Sequence, residues 1–147
     1  MAMSDMTTRE MDMAIVKIPD MEVGTERRNN LNSGKMEVKE IEKSKVHITV
    51  EIIEYLPNSV VSKTILKKST GNISVMSFDN GEGLTEKTTP FDTFAQIIDG
   101  EAVIVIDGES NFLETGQSIV IPAHAPNYVK PNGRFKMILT IIKSGYE

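Results

Sequence analysis

Gly81-Glu82-Gly83-Leu84-Thr85-Glu86-Lys87-Thr88-Thr89-Pro90-Phe91-Asp92-Thr93-Phe94-Ala95-Gln96-Ile97-Ile98-Asp99-Gly100 sets apolar and β-branched residues between glycine, proline and aspartate. Within it, Thr93 to Ile98 is a short run of apolar and β-branched residues, bounded by the Thr-Thr-Pro-Phe segment at 88–91 and by Asp99-Gly100. Such a run between Pro and Gly reads as a strand between two turns. A second stretch of similar construction follows: Gly116, five residues, Pro122-Ala123-His124, two residues, Asn127. Glycine supplies the positive φ that tight turns need, and a proline at 122 ends a strand because it has no N–H to give a ladder.

The same punctuation extends in both directions. Val60 to Leu66, Asn72 to Asp79, Thr93 to Ile98, Ala102 to Ile106, Ser118 to Ile121 and Phe135 to Ile142 are predicted strands. Turns are predicted at Ser69-Thr70-Gly71-Asn72, Asp79-Asn80-Gly81, Asp99-Gly100 and Asp107-Gly108. His47 to Leu56 stays ambiguous, since Ile48, Ile52 and Leu56 also share one helical face. Ala102 to Ile106 is apolar at every position, so both faces of that strand must be covered, by a neighbouring strand layer, the N-terminal segment or a second subunit. Ile138, Leu139, Ile141 and Ile142 make the same demand, and a homodimer joined by a sheet face or edge is expected.

Composition narrows the function. With 147 residues, the chain suits one core. Residues 1–45 hold seven of the nine methionines and no aromatic residue, and their charges nearly cancel. They are expected to form a polar Met-rich leader, partly disordered or contributing one strand such as Ala14 to Ile18, with the domain proper at 46–147. Without cysteine there is no disulfide, thiolate metal site or cysteine nucleophile. A net charge of −5 without clustered basic residues argues against nucleic acid as a partner. No apolar run approaches a membrane span and no signal-peptide pattern opens the chain, so a cytoplasmic location is expected.

In its spacing the pair of stretches resembles the cupin superfamily, in particular small single-domain bacterial cupins of the RmlC-like kind. In that family the first reads Gly, five, His-x-His, three or four, Glu, six, Gly. The second reads Gly, five, Pro-x-Gly, two, His, three, Asn. The resemblance covers Val46 to Glu147 and is strongest over Gly81 to Pro131. It implies an all-β cupin-type double-stranded β-helix, a jelly-roll barrel. It also implies a departure, because Lys87, Thr89, Thr93 and Asn127 stand where the family places three histidines and a glutamate around one metal. Divalent transition metals take imidazole nitrogen or carboxylate oxygen, and an ammonium at such a position repels a cation. No metal and no cofactor are expected.

At that point Lys87 becomes the residue of most interest. If it follows the inward direction of the matching family position, it must be paired or lose its proton, and it suits a carboxylate or phosphate ligand or an amine base. Alternatively it points to solvent or pairs with Glu86 or Asp92. Thr89, Thr93, Gln96, Asn127 and Tyr128 are the candidate neutral hydrogen-bonding groups around a small polar ligand. His124 occupies the family's tight-turn glycine, and histidine accepts positive φ better than most residues. A turn histidine at the barrel mouth is expected, with a general acid or base, or a metal ligand, as alternatives.

Three functions remain open on sequence. One is metal-free binding of a small sugar-like or carboxylate-bearing ligand. Another is a metal-independent isomerase or epimerase, which needs His124 or Lys87 beside Asp92 or Glu86. A non-catalytic dimeric structural or regulatory module, its barrel filled by its own side chains, is the third.

Overall fold

The computed structural model describes residues 13–16 and 39–145. Among the described residues nine strands run β1 Met13–Val16, β2 Val60–Lys68, β3 Gly71–Phe78, β4 Leu84–Lys87, β5 Asp92–Ile106, β6 Glu109–Glu114, β7 Ser118–Ile121, β8 Asn127–Lys130 and β9 Phe135–Ile142. All their pairings are antiparallel. One layer reads β1-β2-β3-β9-β5-β7, the other β4-β8-β5-β6, and β5 belongs to both. Together they form the curled antiparallel sheet of a jelly roll.

The shared strand is where the structure corrects the sequence reading. Asp99-Gly100 is not a hairpin turn between two strands, because Asp92–Ile106 is one strand of 15 residues. Its register with β9 shifts between Ile97 and Asp99, and Gly100 sits at φ +86°. A bulge with a glycine in the left-handed region bends a strand without ending it. Asp92 to Ile98 therefore serves the first layer, and Glu101 to Ile106 turns into the second. A Cβ at Gly100 would collide with the carbonyl oxygen of Arg134, so the bend also closes the barrel floor against β9. Asp107-Gly108, by contrast, is the two-residue hairpin expected, with φ +52° and +80°.

Period-two alternation sorts the residues into an inner and an outer core. Val60, Met76, Phe78, Ala95, Ile97, Ala102, Ile104, Phe135 and Met137 face inward with Leu113, Ile121 and Val129. Phe78 and Phe135 stack at 4.3 Å near the floor. On the outside of the first layer, Val61 and Val75 pack under Ile53, with Ile52, Leu56 and Ile138 around them. The ambiguous stretch from His47 to Leu56 is thus neither a strand nor a longer helix. It holds a 3₁₀ turn at Thr49–Glu51 and then a strap that covers the outer face.

Polar bonds fasten the strap. Ser77 Oγ donates to the Glu54 carbonyl at 2.9 Å, and the buried Lys136 donates to the carbonyl of Val50. Tyr55 donates its hydroxyl to Asp99 at 2.7 Å, with Arg134 and Lys136 within 5.1 and 4.9 Å of its ring centre. Burial and the Asp99 bond both push the Tyr55 hydroxyl well above the ordinary tyrosine pKa.

Ala102, Val103, Ile104 and Val105 are all buried within the single chain. Val103 lies in register between Phe112 and Lys130, and Val105 between Ser110 and Tyr128. Met13–Val16 pairs with Val60–Lys63 of its own chain. The rest of the expected leader, 1–12 and 17–38, lies outside the described residues.

Candidate functional site

One end of the barrel collects the residues at issue. Lys87 pairs in register with Asn127, and Asn127 with Ile106, so these three share the inward face of the second layer. On the facing layer Thr93 pairs with Ile121 and Ile141. The connecting segments rim the opening. His124 N–H donates to the Thr89 carbonyl at 2.7 Å, and Ala123 N–H donates to Asp92 Oδ1 at 2.8 Å. Loop 88–91 is thereby fastened to turn 122–125 rather than left to swing over the mouth.

Asn127 is buried and fully engaged. Its Nδ2 donates to the carbonyls of Lys87, at 3.3 Å, and Ala125, at 3.0 Å, and its Oδ1 accepts from Lys87 Nζ at 3.4 Å. The ladder between β4 and β8 is irregular from Leu84 to Lys87, and the amide bridges that gap. Asparagine suits the position because it offers two donors and an acceptor together.

Lys87 presents the one cation on this inward row. The residue as a whole stays exposed, yet burial of its ammonium end pulls its pKa below the ordinary lysine value. Among the described residues its partner is the neutral Asn127 amide, at the long limit of a hydrogen bond. No hydrogen bond or ion pair joins Lys87 or His124 to Glu86 among those residues, and Asp92 accepts from the Ala123 N–H.

The other predicted residues divide. Thr93 lies on the inward face with Ala95 and Ile97. Thr89 lies at the rim, where its hydroxyl donates to the Phe91 carbonyl at 2.9 Å and accepts from the Phe91 N–H at 3.2 Å. His124 sits at φ +70°, exposed on the turn, as a residue replacing a turn glycine should. Gln96 and Tyr128 fall on the outer faces: Gln96 pairs with Ile138 beside the strap, and Tyr128 with Val105. Both were legible as outliers, because 93 and 96, and 127 and 128, differ by odd numbers along a strand. Missed on sequence were Leu84, Ile106 and Leu139, half-buried inward residues packed on the inner core. Extending the alternation of Ala95 and Ile97 across paired strands would have found them.

A metal of the kind the fold family uses does not fit these residues. The four matching positions supply an ammonium, two hydroxyls and an amide whose groups are already bonded. Among the described residues no three His, Cys, Asp or Glu side chains converge. Among the same residues no helix is long and apolar enough to cross a membrane.

No protein-family model matches the chain, and no curated protein matches it. Solved structures do. A conserved protein of unknown function from Streptococcus pyogenes is 28% identical over 76% of this chain and 97% of its own, with a TM-score of 0.69. A cupin superfamily protein from Desulfitobacterium hafniense is 28% identical over 74% of this chain and 100% of its own, with a TM-score of 0.67. A cupin 2 conserved barrel domain protein from Leptotrichia buccalis is 34% identical over 64% of this chain, with a TM-score of 0.62, and the match spans 46% of that chain. With the spacing of Gly81, Gly100, Gly116 and Pro122 and the curled jelly-roll sheet already in hand, these likenesses show that the chain has the cupin-type jelly-roll fold.

Proposed function

We propose that this cupin-domain protein is a metal-free binding module that takes a small anionic ligand at the open end of its barrel, with Lys87 supplying the charge. One observation carries the proposal. Lys87 shares an inward row with Asn127 and Ile106, is partly dehydrated, and faces a neutral amide instead of a carboxylate. A cation short of water and of counter-charge is stabilised by an incoming anion, through charge-assisted hydrogen bonds stronger than the one Asn127 offers. Binding would raise the Lys87 pKa. The test is an NMR titration of the Lys87 Cε resonance against pH, with and without benzoate, in wild type and Lys87→Gln. An upward shift of the pKa with benzoate, and loss of binding in the variant, are expected. An unchanged pKa, or equal binding by the variant, would overturn the proposal.

A homodimer is proposed as the working form. Phe94, Val120 and Ile142 are 38%, 56% and 53% exposed on the outer face of β5, β7 and β9, beyond the reach of the strap. Apolar side chains grouped on one sheet face favour a covered surface. Sedimentation of wild type and Val120→Glu decides it: a dimer that dissociates in the variant is expected, and a monomeric wild type refutes it.

A further inference from the structure

We infer that the anion carries several hydroxyl groups, as a sugar acid or a sugar phosphate does, and that the inward faces of β2 and β3 read them; the inference rests on the anion site proposed at Lys87. The observation behind it is a polar wall inside the barrel. On β2 the inward residues run Val60, Ser62, Thr64 from the floor toward the mouth, and on β3 they run Phe78, Met76, Ser74, Asn72. Each strand is apolar where the barrel is closed and polar where it opens. The neighbouring β9 stays apolar along the same course, through Phe135, Met137, Leu139 and Ile141, so depth alone does not dictate the change. Val75, between Ser74 and Met76, faces out beneath the strap, which leaves the hydroxyl of Ser74 on the inside.

Register joins these side chains into one surface. Thr64 lies opposite Ser74, Ser74 opposite Leu139, and Asn72 opposite Ile141, whose other neighbour is Thr93. Ser62, Thr64, Asn72, Ser74 and Thr93 are all half-buried, and among the described residues none of their side chains makes a hydrogen bond. Polar groups kept for structure look different here: Thr89 and Asn127 are bonded to the backbone around them. Hydroxyls and an amide without protein partners hold water, which the hydroxyls of a ligand replace bond for bond. The charge is met from the other layer, where Lys87 stands in the inward row with Asn127 and Ile106. A ligand thus sets its anionic group at β4 and its hydroxyls along β2 and β3, with Leu139 and Ile141 against its carbon atoms. Below, Met76, Met137 and the stacked Phe78 and Phe135 fill the barrel, so the occupant is short.

The experiment is a calorimetric titration of the full chain, at matched ionic strength, with two pairs of anions: gluconate against hexanoate, and glucose 6-phosphate against inorganic phosphate. Each pair keeps the charged group and changes the hydroxyl groups. The hydroxylated member of at least one pair is expected to bind about tenfold more tightly than its counterpart, and the pair that shows it identifies the anion as a carboxylate or a phosphate. Thr64→Val combined with Ser74→Ala, and separately Asn72→Leu, should erase that preference while the melting temperature holds or rises, since no protein bond is lost. Lys87→Gln should abolish binding of all four. If hexanoate and inorganic phosphate bind as tightly as their hydroxylated counterparts, with binding lost in Lys87→Gln, the anion site stands and the hydroxyl-reading wall is refuted. A preference that survives in both wall variants refutes the wall as well. If none of the four binds the wild type, the anion site and the wall are both refuted.

Discussion

Lys87 and Asn127 bond to each other twice: the Asn127 amide donates to the Lys87 carbonyl at 3.3 Å, and the Lys87 ammonium donates to the Asn127 oxygen at 3.4 Å. The first bond holds two strands together where their ladder is irregular, and the second holds the cation at the mouth. Structure and recognition are thus divided between the two residues, so their substitutions should separate. Asn127→Ala leaves the carbonyls of Lys87 and Ala125 without their donor in a buried place, and should cost about 2–3 kcal/mol in urea unfolding. Lys87→Gln should change stability little while removing anion binding.

Acid should weaken the anchor between the strap's end and β9. Asp79 accepts Arg134 Nε at 2.8 Å and the Asn58 N–H at 2.7 Å. The Arg134 bond, followed by backbone N–H groups of Asn58 and Asn80, lowers its pKa from 3.8 to about 2. Because the folded value lies below the unfolded one, the stabilisation is present above the unfolded pKa and is lost as pH falls through the folded one. Melting temperature measured from pH 5 to pH 2 should fall in wild type, and Asp79→Asn should flatten that limb. A parallel fall in both proteins would contradict the assignment.

Two glycines at positive φ should respond differently to alanine. At Gly108 a Cβ meets nothing within 4 Å, so Gly108→Ala carries the conformational penalty alone, about 1 kcal/mol. At Gly100 the Cβ collides with the Arg134 backbone as well, and the bend of β5 cannot relax without opening the floor. Gly100→Ala should therefore be the more damaging of the two, by about 2 kcal/mol or more. Chemical unfolding of both variants checks the order.

The strap should matter as a core element. Ile53 is wholly buried against Val61 and Val75. Ile53→Ala should cost about 2–5 kcal/mol, within the range for deleting a core aliphatic side chain. A loss below 1 kcal/mol would mean that the strap adds little to the sheet.

Much of the barrel was legible because turns are written locally. Ser118 to Ile121 and Phe135 to Ile142 end where their flanking residues say they should, and Asp107-Gly108 is the hairpin its residue types demand. Asp99-Gly100 has the same dipeptide chemistry and yet lies within a strand, because two sheets share β5 and a bend there satisfies both. Local residue preference does not distinguish a turn from a bulge when the partners are distant in sequence. Leu84–Lys87, Glu109–Glu114 and Asn127–Lys130 escaped notice as strands for a related reason, since polar residues and short length hide strand pairing. Spacing singled out Lys87, Thr93 and Asn127, which lie on inward faces of β4, β5 and β8. What it did not reveal was that Asn127 and Thr89 are consumed by the backbone around them, a matter of three-dimensional bonding that one-dimensional spacing does not contain.

Lys87 and Asn127, bonded to each other, occupy two of the positions that match the metal ligands of the cupin pattern, so the protein should carry no metal. Elemental mass spectrometry on untagged protein, purified without chelator and compared with protein concentration, should give a metal-to-chain ratio near zero. A ratio near one would contradict the account and show that groups other than the four matching positions hold an ion.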